Sequence, residues 1–543
     1  MKRDLDRLSR DIFDLLVIGG GITGACIARD AALRGLSVAL IEKNDFAHAT
    51  SAHNSKLIHG GLRYLRNFEL SLVRESLKER RIWQRTAPHL VSPLPFLVPV
   101  YGGGWQARAT LAAGLTLYDI LSFDRGWLTD PAQRLPGHRW IGAKEALARE
   151  PRLQGPGLQG AFLYYDAQMY APERLAFENV LDATQQGSVA ANHLEAENLL
   201  LRGEKVEGVT VHDMLANARF DIRARLTILA VGPWADIFLG RALGNDARHR
   251  LVRSKGIHLI VPAMTRGDAL TVATRHGHFF VLPWRGYSIL GTTDTAFHGS
   301  PDEVGVSEAD IDQFLGFVNE HLPVARLERD DVRHFYAGLR PLVDDGASDT
   351  YGASRGAELI DHSSSDNIDG LISVIGGKWT TSRALAEKTV DHAVRKLNAL
   401  VRACTTSHAL FPGGRVGRID AFLAGKRVTY DRVAGIDHLS RLYGSRVSEI
   451  LTLANAQPGF AKTIGATGEI VAQIVYAMRE EMALTLEDVV MRRTGLGQLG
   501  HPGEKALETV ACAMAAELGW SEDRKHAEMG RVGRVFRVVG AQA

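Results

Sequence analysis

A glycine turn that opens a helix can hold a phosphate without any charged side chain, and this chain carries one close to its start. Gly19-Gly20-Gly21-Ile22-Thr23-Gly24 satisfies G-x-G-x-x-G. In that pattern Gly19 allows the tight turn, Gly21 lets backbone approach a pyrophosphate, and Gly24 permits close helix–strand packing. Amide N–H groups and the positive end of the helix stabilise the phosphate charge. Glu42, downstream, suits a ribose hydroxyl and repels a 2′-phosphate. The pattern alone serves FAD and NAD alike.

Two further stretches narrow the ligand. Ala49 to Leu65, reading ATSAHNSKLIHGGLRYL, mixes small hydroxyl residues, a lysine and a Gly-Gly pair. That composition suits a loop lying along a second, extended part of a ligand, where an NAD-binding chain would start another βα unit. Gly376-Gly377-Lys378-Trp379-Thr380-Thr381 follows an apolar run and precedes a helical pattern. It offers a second helix N-terminus to flavin carbonyls or a pyrophosphate.

These residues need elements to place them. Phe13 to Ile18 reads as a buried parallel strand. A helical pattern runs through Cys26, Ile27, Ala31 and Leu33 to a stop at Gly35, and Leu36 to Ile41 reads as the second strand, ending at Glu42. Thr227 to Val231 is expected as a strand before Gly232-Pro233-Trp234, and Leu371 to Ile375 as another. Strand, glycine turn, helix, strand, acid is the order that gives the glycine motif its force.

Composition excludes several classes. Of 543 residues, 45% are hydrophobic and 23% charged, ordinary globular values that rule out disordered and fibrous architectures. A net charge of +2 is too balanced for a nucleic-acid binder. Cys26, Cys404 and Cys512 lie far apart without CxxC spacing, which excludes a thiolate zinc site and a disulfide framework and fits a reducing compartment. No HExxH metal spacing, GxSxG elbow or internal repeat is present. Met1 to Asp11 lacks the apolar stretch of a secretory signal, and the nearest approach to a membrane span, Ala109 to Phe123, is interrupted by Asp119.

Taken in order, IGGGITG, SKLIHGGLRYL, AVGPW, KGIHLIVP, GTTD, AGLRPL and GGKWTTSR resemble the FAD-dependent glycerol-3-phosphate dehydrogenase family over most of residues 12 to 395. Leu442-Tyr443-Gly444-Ser445 and Leu486 to Thr494 resemble its helical extension. The resemblance implies an α/β protein of DAO type: a Rossmann-like FAD-binding domain built from discontinuous segments, a substrate domain on a mixed or antiparallel sheet, and a C-terminal helical domain. The expected division is residues 1–400 and 401–543. FAD would be held by Gly19, Gly21, Gly24, Glu42, Thr50, Ser51, His53, Ser55, Lys56, His59, Gly60, Gly61, Val189, Gly232, Gly377, Lys378 and Thr380. No metal is expected.

By the same resemblance, the substrate site draws on Tyr64, His258, Thr292, Arg340, Arg355 and Lys378. A phosphorylated polyol brings about two negative charges, which arginine forks and a lysine suit. Alcohol oxidation also needs a group to take the hydroxyl proton as hydride leaves carbon, and His258 is the candidate base. Arg340 and Lys378 would stabilise developing negative charge or hold the phosphate.

Three stretches depart from the family pattern. Ala52-His53-Asn54 stands where members read Ser-rich or carry an arginine; His53 there makes loop hydrogen bonds or, alternatively, bonds covalently to the flavin. Asp166 to Arg174 replaces an acidic pair that commonly precedes the arginine, and Gly356-Ala357-Glu358 follows Arg355. These leave the flavin fold intact and keep a larger polyol phosphate, or another hydroxyacid or amino compound, open as substrate.

Beyond a linker-like Pro412-Gly413-Gly414, helical patterns include Gly468 to Met482 and Glu504 to Leu518. Val489 to Arg493 reads as a helix packing on the flavin domain, and the tail with Arg531, Arg534 and Arg537 as a docked terminal element. Ala109 to Ile120 and Arg74 to Arg85 are candidates for a membrane face. The resemblance implies a cytoplasmic enzyme, peripheral on the membrane, that oxidises a polyol phosphate and passes electrons to a quinone. An oxygen-using oxidase, a relative with another substrate, and a non-catalytic flavin-binding redox sensor are the alternatives. Whether the chain forms a homodimer is left open.

Overall fold

The computed structural model describes every residue except 103, 154–156, 245–250, 275–276, 323–325, 344–355 and 541–543. The strand Ile12–Ile18 is exposed at Ile12 and polar at Asp14, but from Leu15 onward it is a continuous buried apolar run, covered on both faces. It lies between Ala218–Leu229 and Val38–Ile41, parallel to each. Val189–Ala191 adds beyond Val38–Ile41, and Leu371–Gly376 beyond Ala218–Leu229, again in parallel. Ala357–Asp361 closes that edge antiparallel. The sheet is thus assembled from segments far apart in the chain.

The expected strand at Thr227 to Val231 is the last part of a longer one, Ala218–Leu229. Its first half alternates between exposed and buried because it pairs with the hairpin strand Lys205–Asp213. An apolar-run criterion therefore sees only the covered end. The second strand likewise starts at Val38 rather than Leu36. Helices Ile22–Arg34, Pro172–Gln185 and Ser382–Leu397 pack together on one face. Gly35, with φ of 99°, ends the first by donating to Ala31 and Ala32 carbonyls.

A second sheet carries the substrate half. Its axis is Leu251–Pro262, which pairs antiparallel with both Tyr287–Gly291 and His334–Val343. The sheet continues through Gly277–Trp284, Ala269–Thr274, Val91–Tyr101 and Leu158–Met169, with Ala269–Thr274 running parallel to Val91–Tyr101. Leu57–Ile58 pairs at its far edge and brings the loop after Glu42 across from the nucleotide sheet.

The C-terminal part is helical, through Ile419–Thr429, Ile436–Tyr443, Val447–Ala456, Val471–Glu480, Glu504–Leu518 and Glu522–Val535. Two expectations are corrected there. The helix expected from Gly468 begins only at Val471, since Glu469–Ile470 pairs with Thr463–Ile464 as a short ladder. Pro412-Gly413-Gly414 is no linker: it is a buried turn in which Gly413 N donates to Glu178 at 2.9 Å, and a Cβ on Gly414 would stand 2.2 Å from the Thr86 carbonyl.

Asp488–Arg493 forms a π-helical turn that docks on the nucleotide half. Asp45 accepts from Arg492 Nε at 2.7 Å and from both Arg493 amino nitrogens at 2.7 Å. Arg174 and Glu481 make a second buried pair, with two contacts of 2.6 Å. Removing one member of such a pair leaves a buried charge uncompensated, a loss of about 3–5 kcal/mol. The tail is docked: Val532 is fully buried and Val539 N donates to Val306 O at 2.9 Å.

Candidate active site

The nucleotide cradle is built from backbone. Helix Ile22–Arg34 starts at Gly21 with no side-chain cap, so its first-turn amides are left for an anion; Ile22 N alone is met, by Ser51 Oγ at 2.8 Å. A Cβ on Gly24 would lie 1.9 Å from the Gly19 carbonyl oxygen, which fixes that position as glycine. Helix Ser382–Leu397 also begins without a side-chain cap, behind Gly376 and Gly377 at positive φ. Glu42 is half-buried and accepts from Gly20 N at 2.7 Å and Asn44 N at 2.9 Å. Burial raises its pKa against those two donors. Each carboxylate oxygen retains acceptor capacity for a ribose hydroxyl.

The loop from Thr50 to Gly61 ties the halves together. Thr50 Oγ1 donates to Leu339 O at 2.7 Å, and Ser51 O accepts from Trp379 Nε1 at 3.1 Å. His59 N donates to Thr380 Oγ1 at 3.3 Å. Gly60 N points to Tyr118 Oη and Asp166, and a Cβ there would meet Leu77 and Tyr118 at 2.4 Å, so this glycine serves packing as well. Gly61 and Gly232 both take positive φ. Val189 is a buried strand residue beside Ala39. Lys56 is buried, with Nζ over the Trp284 and Tyr336 rings and 3.4 Å from Ala52 O. Burial lowers its pKa to about 8.

Strand register assembles the substrate face. Arg340 lies opposite Ser254, and His258 opposite both Tyr336 and Gly291. Directly paired residues share a face, so Ser254, Gly256 and His258 stand beside Arg340, Gly338 and Tyr336. Arg340 donates to Ser254 Oγ at 2.9 Å, Thr292 Oγ1 at 2.9 Å and Thr293 O at 3.2 Å, with Asp294 at 3.8 Å. Gly256 makes this fit: a Cβ would meet Arg340 Nη2 at 2.3 Å and Thr292 Oγ1 at 2.5 Å.

His258 is buried, stacked on Tyr336 at 4.9 Å, with Nε2 at 2.9 Å from Ser55 Oγ. Burial first, then Arg340, Lys56 and His53, hold its pKa well below the ordinary value, so the imidazole is neutral. Tyr336 stacks also on His53, at 5.7 Å, and burial lowers the pKa of His53 to about 3.

A second cationic group stands on the nucleotide side. Lys378 Nζ lies 3.6 Å above the centre of the Tyr64 ring and is buried without a hydrogen-bond acceptor. Burial lowers its pKa, and Tyr64 partly offsets the shift. Such an ammonium suits an incoming anion. Arg355 lies outside the described residues. Sequence reasoning names no role for Tyr336, Ser254 or Gly256; two-residue alternation from His258 and Arg340 is the available signal, and only the register joins the two strands.

The residues present fit FAD: an uncapped helix start with a glycine cradle, a carboxylate for the ribose, and a long loop leading to a face of neutral imidazole and cations. Among the described residues no group could hold a metal ion, and no helix is long and apolar enough to cross a membrane.

Comparison with known proteins agrees with this geometry. The family model for FAD dependent oxidoreductases matches residues 14–392, and that for the C-terminal domain of alpha-glycerophosphate oxidase matches residues 404–525. The chain is 35% identical to a glycerol-3-phosphate dehydrogenase of Synechocystis sp., covering 96% of both chains. It is 34% identical to the mitochondrial glycerol-3-phosphate dehydrogenase of Mesocricetus auratus, over 95% of this chain and 72% of that one. Among solved structures, the glycerol-3-phosphate dehydrogenase from Bacillus halodurans complexed with FAD superposes with a TM-score of 0.77 at 29% identity, covering 98% of this chain and 95% of that one. The chain belongs to the glycerol-3-phosphate dehydrogenase family of FAD-dependent oxidoreductases.

Proposed function

We propose that this enzyme oxidises the secondary alcohol of sn-glycerol 3-phosphate, or of a close polyol phosphate, to the ketone, dihydroxyacetone phosphate in the first case. One observation carries the substrate class: Lys378 keeps a buried ammonium over the Tyr64 ring, with no hydrogen-bond acceptor among the described residues. The names of the near full-length relatives support the same reading.

Bound FAD supplies the acceptor for the hydride that leaves carbon. The chain supplies the rest. Helix Ile22–Arg34 holds the pyrophosphate through uncapped amides. Lys378 receives the phosphate charge, and Arg340, fixed by Ser254 and Thr292, stabilises negative charge on the reacting oxygen. His258, neutral in the resting site, is the final holder of the hydroxyl proton. Arg355 joins the substrate contacts in this reading, and the boundary between oxidoreductase and helical domains falls at residues 400/401.

The electrons pass on to a quinone, and the enzyme sits peripherally on the cytoplasmic face of a membrane. Supporting this, helix Gly104–Leu121 and the turn after it expose Trp105, Ile120, Phe123 and Trp127 to solvent, with Phe68 and Tyr101 also exposed. Anaerobic addition of glycerol-3-phosphate and longer analogues to the FAD-loaded enzyme tests the chemistry. Loss of flavin absorbance with a polyol phosphate is expected, followed by recovery with a soluble quinone. No bleaching with any of them would overturn the reading, and recovery only with oxygen, releasing peroxide, would make the enzyme an oxidase.

A further inference from the structure

His258 is walled in on several sides. Tyr336 covers a ring face at 4.9 Å with an interplanar angle of 16°. Gly291 abuts the opposite strand edge, where a Cβ would come within 2.2 Å of Cδ2. Nδ1 is buried without a hydrogen-bond partner, and the residue is 3% exposed. Nε2 meets Ser55 Oγ at 2.9 Å, and Ser55 is only half-buried. The serine hydroxyl is therefore the polar group that meets the base, and it belongs to the more exposed residue of the pair.

The loop that carries Ser55 is pinned on both sides. Asn54 Nδ2 donates to Ser51 O at 2.8 Å, and Asn54 Oδ1 accepts from Lys56 N at 2.8 Å. Tyr336 Oη donates to Asn54 O at 3.0 Å. One tyrosine thus fixes the plane of His258 with its ring and the position of Ser55 with its hydroxyl. Such double fixing suits a proton transfer, which needs heavy atoms held at hydrogen-bond distance.

We propose that Ser55 is a catalytic residue that relays the proton of the substrate alcohol to His258. This rests on the alcohol oxidation proposed above. The Ser55 O–H bond breaks as its proton bonds to His258 Nε2, while the substrate O–H bond breaks and its proton bonds to Ser55 Oγ. The hydrogen on the alcohol carbon leaves with the electron pair of its bond, as hydride for which bound FAD would be the acceptor, and the substrate C–O becomes C=O. Ser55 ends as a neutral hydroxyl and His258 as an imidazolium. Burial, Arg340 and Lys56 oppose that cation, and the negative charge of a bound substrate offsets them.

The relay is tested with Ser55→Ala, the nearly isosteric Ser55→Cys, and Ser55→Thr, which restores a hydroxyl. Anaerobic flavin reduction by glycerol-3-phosphate should slow by about 10²-fold in the first two, the usual scale for one acid–base group, and return to within about tenfold in the third. Rates are taken per bound flavin, and the substrate dissociation constant should stay near wild type. A second readout needs no turnover: deuterium exchange at His258 Cε1, followed by mass spectrometry, should be slow in wild type and faster in Ser55→Ala, where the wall is opened. Wild-type reduction rates in Ser55→Ala and Ser55→Cys, or unchanged exchange at His258, would overturn the relay. If the wild type itself is not reduced by any polyol phosphate, the alcohol-oxidation reading falls, and the exchange comparison still decides whether Ser55 shields His258.

Discussion

The two ends of the site bind anions by different means. At the nucleotide end the donors are backbone amides at an uncapped helix start, equivalent to roughly half a positive charge and indifferent to pH. At the substrate end the donors are side chains, Arg340 in a net of hydroxyls and Lys378 over an aromatic ring. The first end depends on the closeness of main-chain atoms. The second depends on charge held in a partly dry place. Steric insult should therefore empty the cofactor site, whereas charge removal should spare the cofactor and stop the chemistry.

The largest effect is expected at the cradle. Gly24→Ala puts a Cβ 1.9 Å from a main-chain oxygen that cannot swing away, so the helix start must shift. The variant should elute from gel filtration without yellow colour and be destabilised by about 3 kcal/mol, the upper range for overpacking; a fully loaded variant would show that the turn has slack. Next comes Arg340→Ala. It should retain FAD yet be reduced by glycerol-3-phosphate about 10²–10³-fold more slowly, the range for loss of one preorganised donor. Stopped-flow absorbance reads this directly, and equal loss of flavin would erase the contrast between the two ends.

A smaller effect sharpens the contrast by pH. Lys56 has its pKa lowered from 10.5 to about 8 by burial. Between those values the unfolded chain binds more protons than the folded one, so this group makes stability rise as pH climbs through that window. Below it the buried ammonium costs stability in full. Lys56→Met should therefore be more stable than wild type at about pH 7 by up to about 3 kcal/mol, with the advantage fading toward alkaline pH. Denaturant melts at several pH values would show it, and a constant difference would contradict the assignment. The smallest expectation concerns His53, which stacks on Tyr336 in the same enclosure. Acid precipitation should leave all yellow colour in the supernatant; colour in the pellet would establish the covalent alternative.

How far each region could be read in advance follows from the same contrast. The cradle is contiguous, so Gly19 to Gly24 and the strands around it announce themselves in a line. The fold class also followed, because parallel strands covered on both faces are continuous apolar runs. The substrate face is different. Arg340 and Ser254 meet through strand pairing, and nothing local in either segment states that register. Resemblance names Arg340 with Thr292 and Lys378 with Tyr64, but not the Ser254 and Tyr336 that the register sets against Arg340 and His258. It names Ser55 as a cofactor contact, and the structure adds a contact of 2.9 Å between Ser55 Oγ and His258 Nε2. Pro412-Gly413-Gly414 misled for a related reason: glycines that look like a hinge in one dimension are the close approach of buried backbones in three.

The account turns on the anion for which Lys378 waits. Dissociation constants for glycerol-3-phosphate and for glycerol, read anaerobically from flavin absorbance in wild type and in Lys378→Met, test it most directly. Wild type should bind the phosphate ester far more tightly than glycerol, and the variant should lose about 10- to 100-fold of that preference, the scale of one charge-assisted contact. A wild type that treats both alcohols alike, or a variant whose preference is unchanged, would contradict it.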